Sequence, residues 1–291
     1  MPSTDFPPSA GRAVIESPFT LRNASGDSIV GDLRHAEGAT GLPLLIVCHG
    51  FTAHKDWGPF PYFGRKLAAL GFASVVFNFS HNGVGPGSRR FDEIEKFSRN
   101  TIGRELEDVR AILSAVARGG LAGGIADPSR IGIAGHSRGG GIAVLSASRE
   151  SAIRGVAAWG SVATFHRYTP HQREAWERDG FLPVTVRGMR TRLRFGLDVL
   201  RDLEANREEY DILRAVRTLS VPLLIVHGAA DVSVKLSEAQ TLYDASDRSK
   251  TEFVVIEGTN HAFGAKHPYR NGSAGVDRLL DLTARWFHRF L

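Results

Sequence analysis

A chain of 291 residues is long enough for one large α/β domain or two small ones, and 42% hydrophobic with 23% charged residues excludes a disordered or fibrous protein. The formal net charge of +5 rests on scattered arginines, which argues against a nucleic-acid partner. The single cysteine, Cys48, excludes an intrachain disulfide and fits a reducing compartment.

Residues 1–10 contain neither a basic nor an apolar leader region, and no run is long enough to span a bilayer. The expectation is therefore a cytoplasmic protein without a membrane span. Short apolar runs at residues 12–16, 28–33, 43–48, 73–79, 130–134, 155–159, 222–226 and 252–256 predict eight strands. The last six are nearly continuous apolar runs, as strands covered on both faces should be. Helical spacing over residues 60–70, 101–117, 139–148, 235–245 and 274–291 supplies the crossovers of a mostly parallel sheet. Gly71 stops the first helix, and Asp127-Pro128 is expected to break the approach to the fifth strand.

Between residues 166 and 220 the alternation lapses into an Arg- and Glu-rich stretch where only a short crossover is required. It reads as an inserted cap, leaving residues 1–165 and 221–291 as the core domain. Within it, residues 172–178 predict a helix ended by Gly180, residues 181–195 a hairpin, and residues 197–205 a second helix. The basic run at residues 187–194 alternates with apolar positions and reads as the solvated face of that hairpin.

The fifth strand runs into Gly135-His136-Ser137-Arg138-Gly139 and then a helix. A serine on a strand-to-helix turn needs glycines two before and two after it, because a side chain there would strike neighbouring backbone. Ser137 is the candidate nucleophile, at a helix N-terminus whose dipole favours developing negative charge. A serine hydroxyl is a weak nucleophile, so a base and an orienting carboxylate must follow. The strand at residues 222–226 ends in His227-Gly228-Ala229-Ala230-Asp231, and the next ends in Gly258-Thr259-Asn260-His261. Asp231 and His261 are thus the candidates, with His267 as the rival base. His136 must point away from its neighbour, and His227 reads as structural. For the oxyanion, the turn at His49-Gly50-Phe51 offers the Phe51 amide, and the nucleophile's successor offers the Arg138 amide.

These motifs, in the order Ser, Asp, His, resemble the α/β-hydrolase superfamily over nearly the whole chain. The likeness is nearest to cinnamoyl and feruloyl esterases and to related dienelactone-hydrolase-like or prolyl-oligopeptidase-like single-domain hydrolases. His49-Gly50-Phe51-Thr52-Ala53-His54-Lys55-Asp56 resembles that group's oxyanion loop, and residues 76–85 resemble the loop after its following strand. The cap's position matches as well. The resemblance implies an α/β-hydrolase fold with an eight-stranded sheet, helices on both faces and an inserted cap. Dienelactone hydrolases carry cysteine at the elbow and haloalkane dehalogenases aspartate, so Ser137 speaks against both activities. The N-terminus leaves no room for the β-propeller that precedes prolyl-oligopeptidase domains.

The expected function is ester hydrolysis through an acyl-enzyme, on short-chain or aromatic, feruloyl-like esters. Tyr168, Trp176, Phe181 and Phe195 are candidate walls of the substrate pocket or, equally, the cap's own core. No cofactor or metal is implied, since clustered Cys/His ligands and Gly-rich phosphate loops are missing. The expected partner is a small-molecule ester, and a homodimer is compatible with the sequence. A serine aminopeptidase or amidase using the same residues is one alternative; a non-catalytic binding protein on the same fold is another.

Overall fold

The computed structural model of the chain describes residues 12–186, 193–270 and 272–291. The expectations for residues 1–10 and for most of the basic run at 187–192 lie outside the described residues. In chain order the strands are β1 (Val14–Arg22), β2 (Ser28–Ala36), β3 (Leu42–Cys48), β4 (Ala73–Phe77), β5 (Ala126–His136), β6 (Ile153–Trp159), β7 (Phe181–Val184), β8 (Leu193–Gly196), β9 (Leu223–Gly228) and β10 (Thr251–Ile256). The helices are α1 (Phe60–Ala69), α2 (Ile94–Ser98), α3 (Ile102–Ala117), α4 (Arg138–Ala147), α5 (Pro170–Asp179), α6 (Leu197–Ala205), α7 (Ile212–Arg217), α8 (Leu236–Ala245) and α9 (Ala274–Phe290).

Eight strands make one sheet in the order β1-β2-β4-β3-β5-β6-β9-β10. The β1–β2 and β2–β4 pairs are antiparallel and the others parallel. Because successive side chains point to opposite faces, each strand feeds two cores. Leu44, Ile46, Val75, Phe77 and Ile133 pack with Val109 and Ile112 of α3 and Ile142 of α4. Leu45, Val47 and Val76 pack with Phe63 and Leu67 of α1 and with Leu279 and Leu280 of α9. The buried Trp159 indole N–H donates to Thr283 Oγ1 at 3.1 Å, pinning α9 to the sheet.

Three expectations need correction. β5 begins at Ala126, so Asp127-Pro128 does not break it; instead its pairing with β3 shifts register between Leu42 and Leu44, and the proline is absorbed in that irregularity. β1 runs on to Arg22, because antiparallel pairing along all of β2 stabilises it past the expected end. β10 lies at the sheet edge and only Ile256 of it is buried, so this last strand is not covered on both faces.

Residues 166–220 contain α5, the antiparallel β7–β8 pair, α6 and α7. Thr169 and Gln172 form a capping box at the start of α5, and Gly180 ends it at φ 77°. Trp176, Phe195, Val199 and Leu203 join the same apolar cluster as α3 and α4, so this stretch is packed onto those helices. Among the described residues no helix is long and apolar enough to cross a membrane.

Candidate active site

The carboxyl ends of β3, β5, β6, β9 and β10 meet at one edge of the sheet, where loops in open α/β sheets collect functional groups. Ser137 joins β5 to α4 at φ 57°, ψ −120°, a conformation that side chains adopt only when the surroundings enforce it. The enforcement is steric: a Cβ at Gly135 would collide with the Gly139 carbonyl, and one at Gly139 with the carbonyls of Cys48 and His49. The Ser137 N–H donates to the Trp159 carbonyl at 2.9 Å, tying the turn to the end of β6.

His261 Nδ1 lies 2.7 Å from Asp231 Oδ2, so its N–H donates to the carboxylate and Nε2 is left for a proton. The other carboxylate oxygen accepts the backbone N–H groups of Ser233 and Val234, each at 2.9 Å. A second imidazole supports the same aspartate: His227, fully buried, places Nε2 2.9 Å from the Val234 carbonyl and 3.2 Å from Asp231 Oδ2. Burial opposes the charge on Asp231, yet the bonds from His227, His261 and the Val234 amide together hold its carboxyl well below the usual carboxylate range. Beneath His261 lies His136, whose Nε2–H donates to the His261 carbonyl at 2.8 Å. Desolvation lowers the His136 pKa to about 3, so it acts as a neutral strut.

His49 organises the loop after β3. Burial lowers its pKa to about 3; Nδ1–H donates to the Gly50 carbonyl at 2.9 Å, while Nε2 accepts from the Phe79 amide at 3.3 Å. Gly50 packs against the turn at Ser137, where an added Cβ would lie 3.2 Å from Ser137 Cβ. The backbone N–H groups of Phe51 and Arg138 donate to no acceptor among the described residues.

Ser137 and His261 open onto one cavity of about 280 Å³, with apolar walls from Phe51, Val162, Phe165 and Tyr168. No hydrogen bond joins Ser137 Oγ to the His261 ring among the described residues; such contacts are often long before substrate arrives.

A model of the alpha/beta hydrolase family matches residues 45–270. The chain belongs to the alpha/beta hydrolase family. No curated protein matches the sequence. Among solved structures, the esterase domain of a Rhodothermus marinus protein is 19% identical with a TM-score of 0.65, over 95% of this chain and 99% of that one. Est1E from Butyrivibrio proteoclasticus bound to ferulic acid is 18% identical with a TM-score of 0.68, over 94% of this chain and 98% of that one. A dienelactone hydrolase from Anabaena variabilis is 16% identical with a TM-score of 0.63, over 96% and 99%. At such identities the likeness is one of fold.

Within this alpha/beta hydrolase, Ser137, His261, Phe51, Arg138 and Tyr168 share the cavity, and Asp231 stands behind His261. Trp176 and Phe195 do not line it. They stack on each other with centroids 6.0 Å apart, the Trp176 indole donates to the Gly196 carbonyl, and both belong to the apolar cluster that also holds α3 and α4. Phe181 stands 40% exposed under the Arg194 guanidinium. The rival His267 stacks on Trp57 and accepts the Gly58 N–H at 3.0 Å, away from the cavity. Sequence reasoning missed Val162, Phe165, Arg167, Ser233 and Val234 in the lining. Their signal was positional, since all lie in the loops that follow β6 and β9.

Proposed function

We propose that the protein is a serine carboxylic ester hydrolase. The observation that carries the reading is the meeting, at one cavity, of a serine in a forced positive-φ turn and a histidine whose Nδ1–H is held by a carboxylate. In the proposed cycle His261 Nε2 takes the Ser137 proton and the alkoxide attacks the ester carbonyl. The Phe51 and Arg138 amides bind the oxyanion, and His261 protonates the departing alcohol. Water, activated by the same imidazole, then releases the acid. Asp231 keeps the imidazole in the productive tautomer and balances the imidazolium charge, and His227 keeps Asp231 ionised and in place.

Residues 166–220 are proposed as a cap over this edge, with residues 1–165 and 221–291 as the hydrolase core. A cavity of about 280 Å³ with aromatic walls supports short-chain or small aromatic acyl groups. The test is fluorophosphonate labelling and turnover of nitrophenyl butyrate by the natural chain and by Ser137→Ala. We expect labelling at Ser137 and a loss of at least about a thousandfold in kcat for the variant, since such residues act as a unit. Retention of most of the activity in Ser137→Ala would refute the mechanism; preferred turnover of aminoacyl anilides would redirect it to an amidase.

A further inference from the structure

Arg138 lines the cavity, and besides its backbone amide it carries a side chain that the proposed chemistry does not use. Its Nε donates to both carboxylate oxygens of Glu105 at 3.0 Å, and Nη2 reaches only the Asn100 carbonyl at 3.5 Å. Nη1 donates to no acceptor among the described residues, although Arg138 is only 9% exposed. It is not a sealed orphan, and the residue it belongs to lines the cavity. The rings of Phe165 and Phe195 lie 5.8 and 6.0 Å from its Cζ, fixing the guanidinium between them. A guanidinium so held offers N–H donors of fixed direction in poorly hydrated surroundings, where an unmatched donor is costly and a matched one selective.

The side of the cavity identifies which part of an ester lies there. His261 packs on His136, which leans on Phe60 and Phe263 of the α1 and α9 core. Arg138 leans on Phe165 and Phe195 of the α3 and α4 core. His261 must protonate the departing alcohol, so the alcohol lies toward it and the acyl chain toward Arg138.

Charge then sets the chemical class. Arg138 is paired with Glu105, and Arg167, also on the cavity, with Glu238. Two cations of the lining are thus backed by three anions once Asp231, behind His261, is included, and His261 is neutral when it acts as a base. A substrate carboxylate would add a fourth anion where screening is poor. A neutral carbonyl oxygen meets the free N–H groups without that penalty.

We infer that the Arg138 side chain determines specificity by binding a neutral oxygen acceptor on the acyl chain, and that the Arg138–Glu105 pair turns away acyl chains ending in a carboxylate. The inference rests on the serine-hydrolase reading above and adds the substrate class: esters of oxo-acids.

The test compares kcat/KM of the full chain on two matched series of ethyl esters. One is ethyl pentanoate, ethyl 4-oxopentanoate and monoethyl succinate; the other is ethyl hexanoate, ethyl 5-oxohexanoate and monoethyl glutarate. At one length or both, the oxo-ester should exceed the alkyl ester by about tenfold and the carboxylate should fall below it by about tenfold. Arg138→Met should bring the oxo-to-alkyl ratio to about one, and Glu105→Gln should raise the carboxylate-to-alkyl ratio by about tenfold. Removing one partner of a buried pair endangers folding, so Glu105→Leu with Arg138→Met serves as a second variant, with the same ratio near one expected. Oxo- and alkyl esters within twofold at both lengths in the natural chain overturn the inference. So does an oxo-preference that survives loss of the guanidinium in either variant. If no ester turns over while a fluorophosphonate labels Ser137, the oxo-acid class is overturned and the hydrolase reading stands; without labelling, both fall.

Discussion

Ser137 sits at φ 57°, ψ −120°, and a side chain held in such a region costs about 1–3 kcal/mol. Glycine pays less there. We therefore expect Ser137→Gly to raise stability by about 1 kcal/mol while abolishing fluorophosphonate labelling; a urea midpoint at or below that of the natural chain would show that the turn is unstrained. The elbow was legible because sterics leave so few residue types for Gly135 and Gly139. The side-chain partners were not. Glu105 meets Arg138 across 33 positions of chain, and no spacing rule links a helix glutamate to a turn arginine. His227, read as a structural histidine at a strand end, is that, and it also reaches the Asp231 carboxylate.

Elements show the same division. Long helices and apolar strands declared themselves by periodicity, but α2 and α7 span five and six residues, too few turns for a 3.6-residue pattern to register. α2 nonetheless matters: its buried Phe97 stacks on Phe195 of β8 with centroids 5.2 Å apart, and Phe195 also meets Phe51 at 5.2 Å. One ring from the insertion thereby braces the residue whose amide is proposed to bind the oxyanion. Phe195→Ala should cost about 3–5 kcal/mol in stability and lower kcat without abolishing it. A variant that loses the stability but keeps full kcat would show that the brace does not govern the oxyanion loop.

For the whole molecule, alternation of strand and helix made the class of fold legible, whereas the antiparallel β1–β2 edge and the exposure of β10 depended on sheet order, which no local pattern encodes. Acid response is also a property of the whole. Burial lowers the pKa of His49 and His136 to about 3 and of His54 and His81 to about 4, while an unfolded imidazole takes its proton at about pH 6.5. Each of the four therefore contributes stability that is complete above that pH and is lost as pH falls toward its native value. Asp108 runs the other way: burial raises its carboxyl to about 7, so below that pH its native form keeps a proton that the unfolded chain releases. Burial also lowers the pKa of His166 and raises that of Glu105, so five histidines against two carboxyls predict a net loss. Urea midpoints should stay nearly level from pH 8 to about pH 7 and decline from about pH 6.5 to pH 5, and a flat or rising series over that lower range would contradict the neutral burial of these histidines.

Cys48 lies at the end of β3 with no solvent exposure, and burial holds its thiol well above the ordinary range. Maleimides and iodoacetamides need a reachable thiolate, so the folded chain is chemically silent toward them. A cysteine engineered on the outer surface of α5 or α6 would be the sole attachment point for a dye, and distance changes between the insertion and the sheet would be readable without first removing a native thiol.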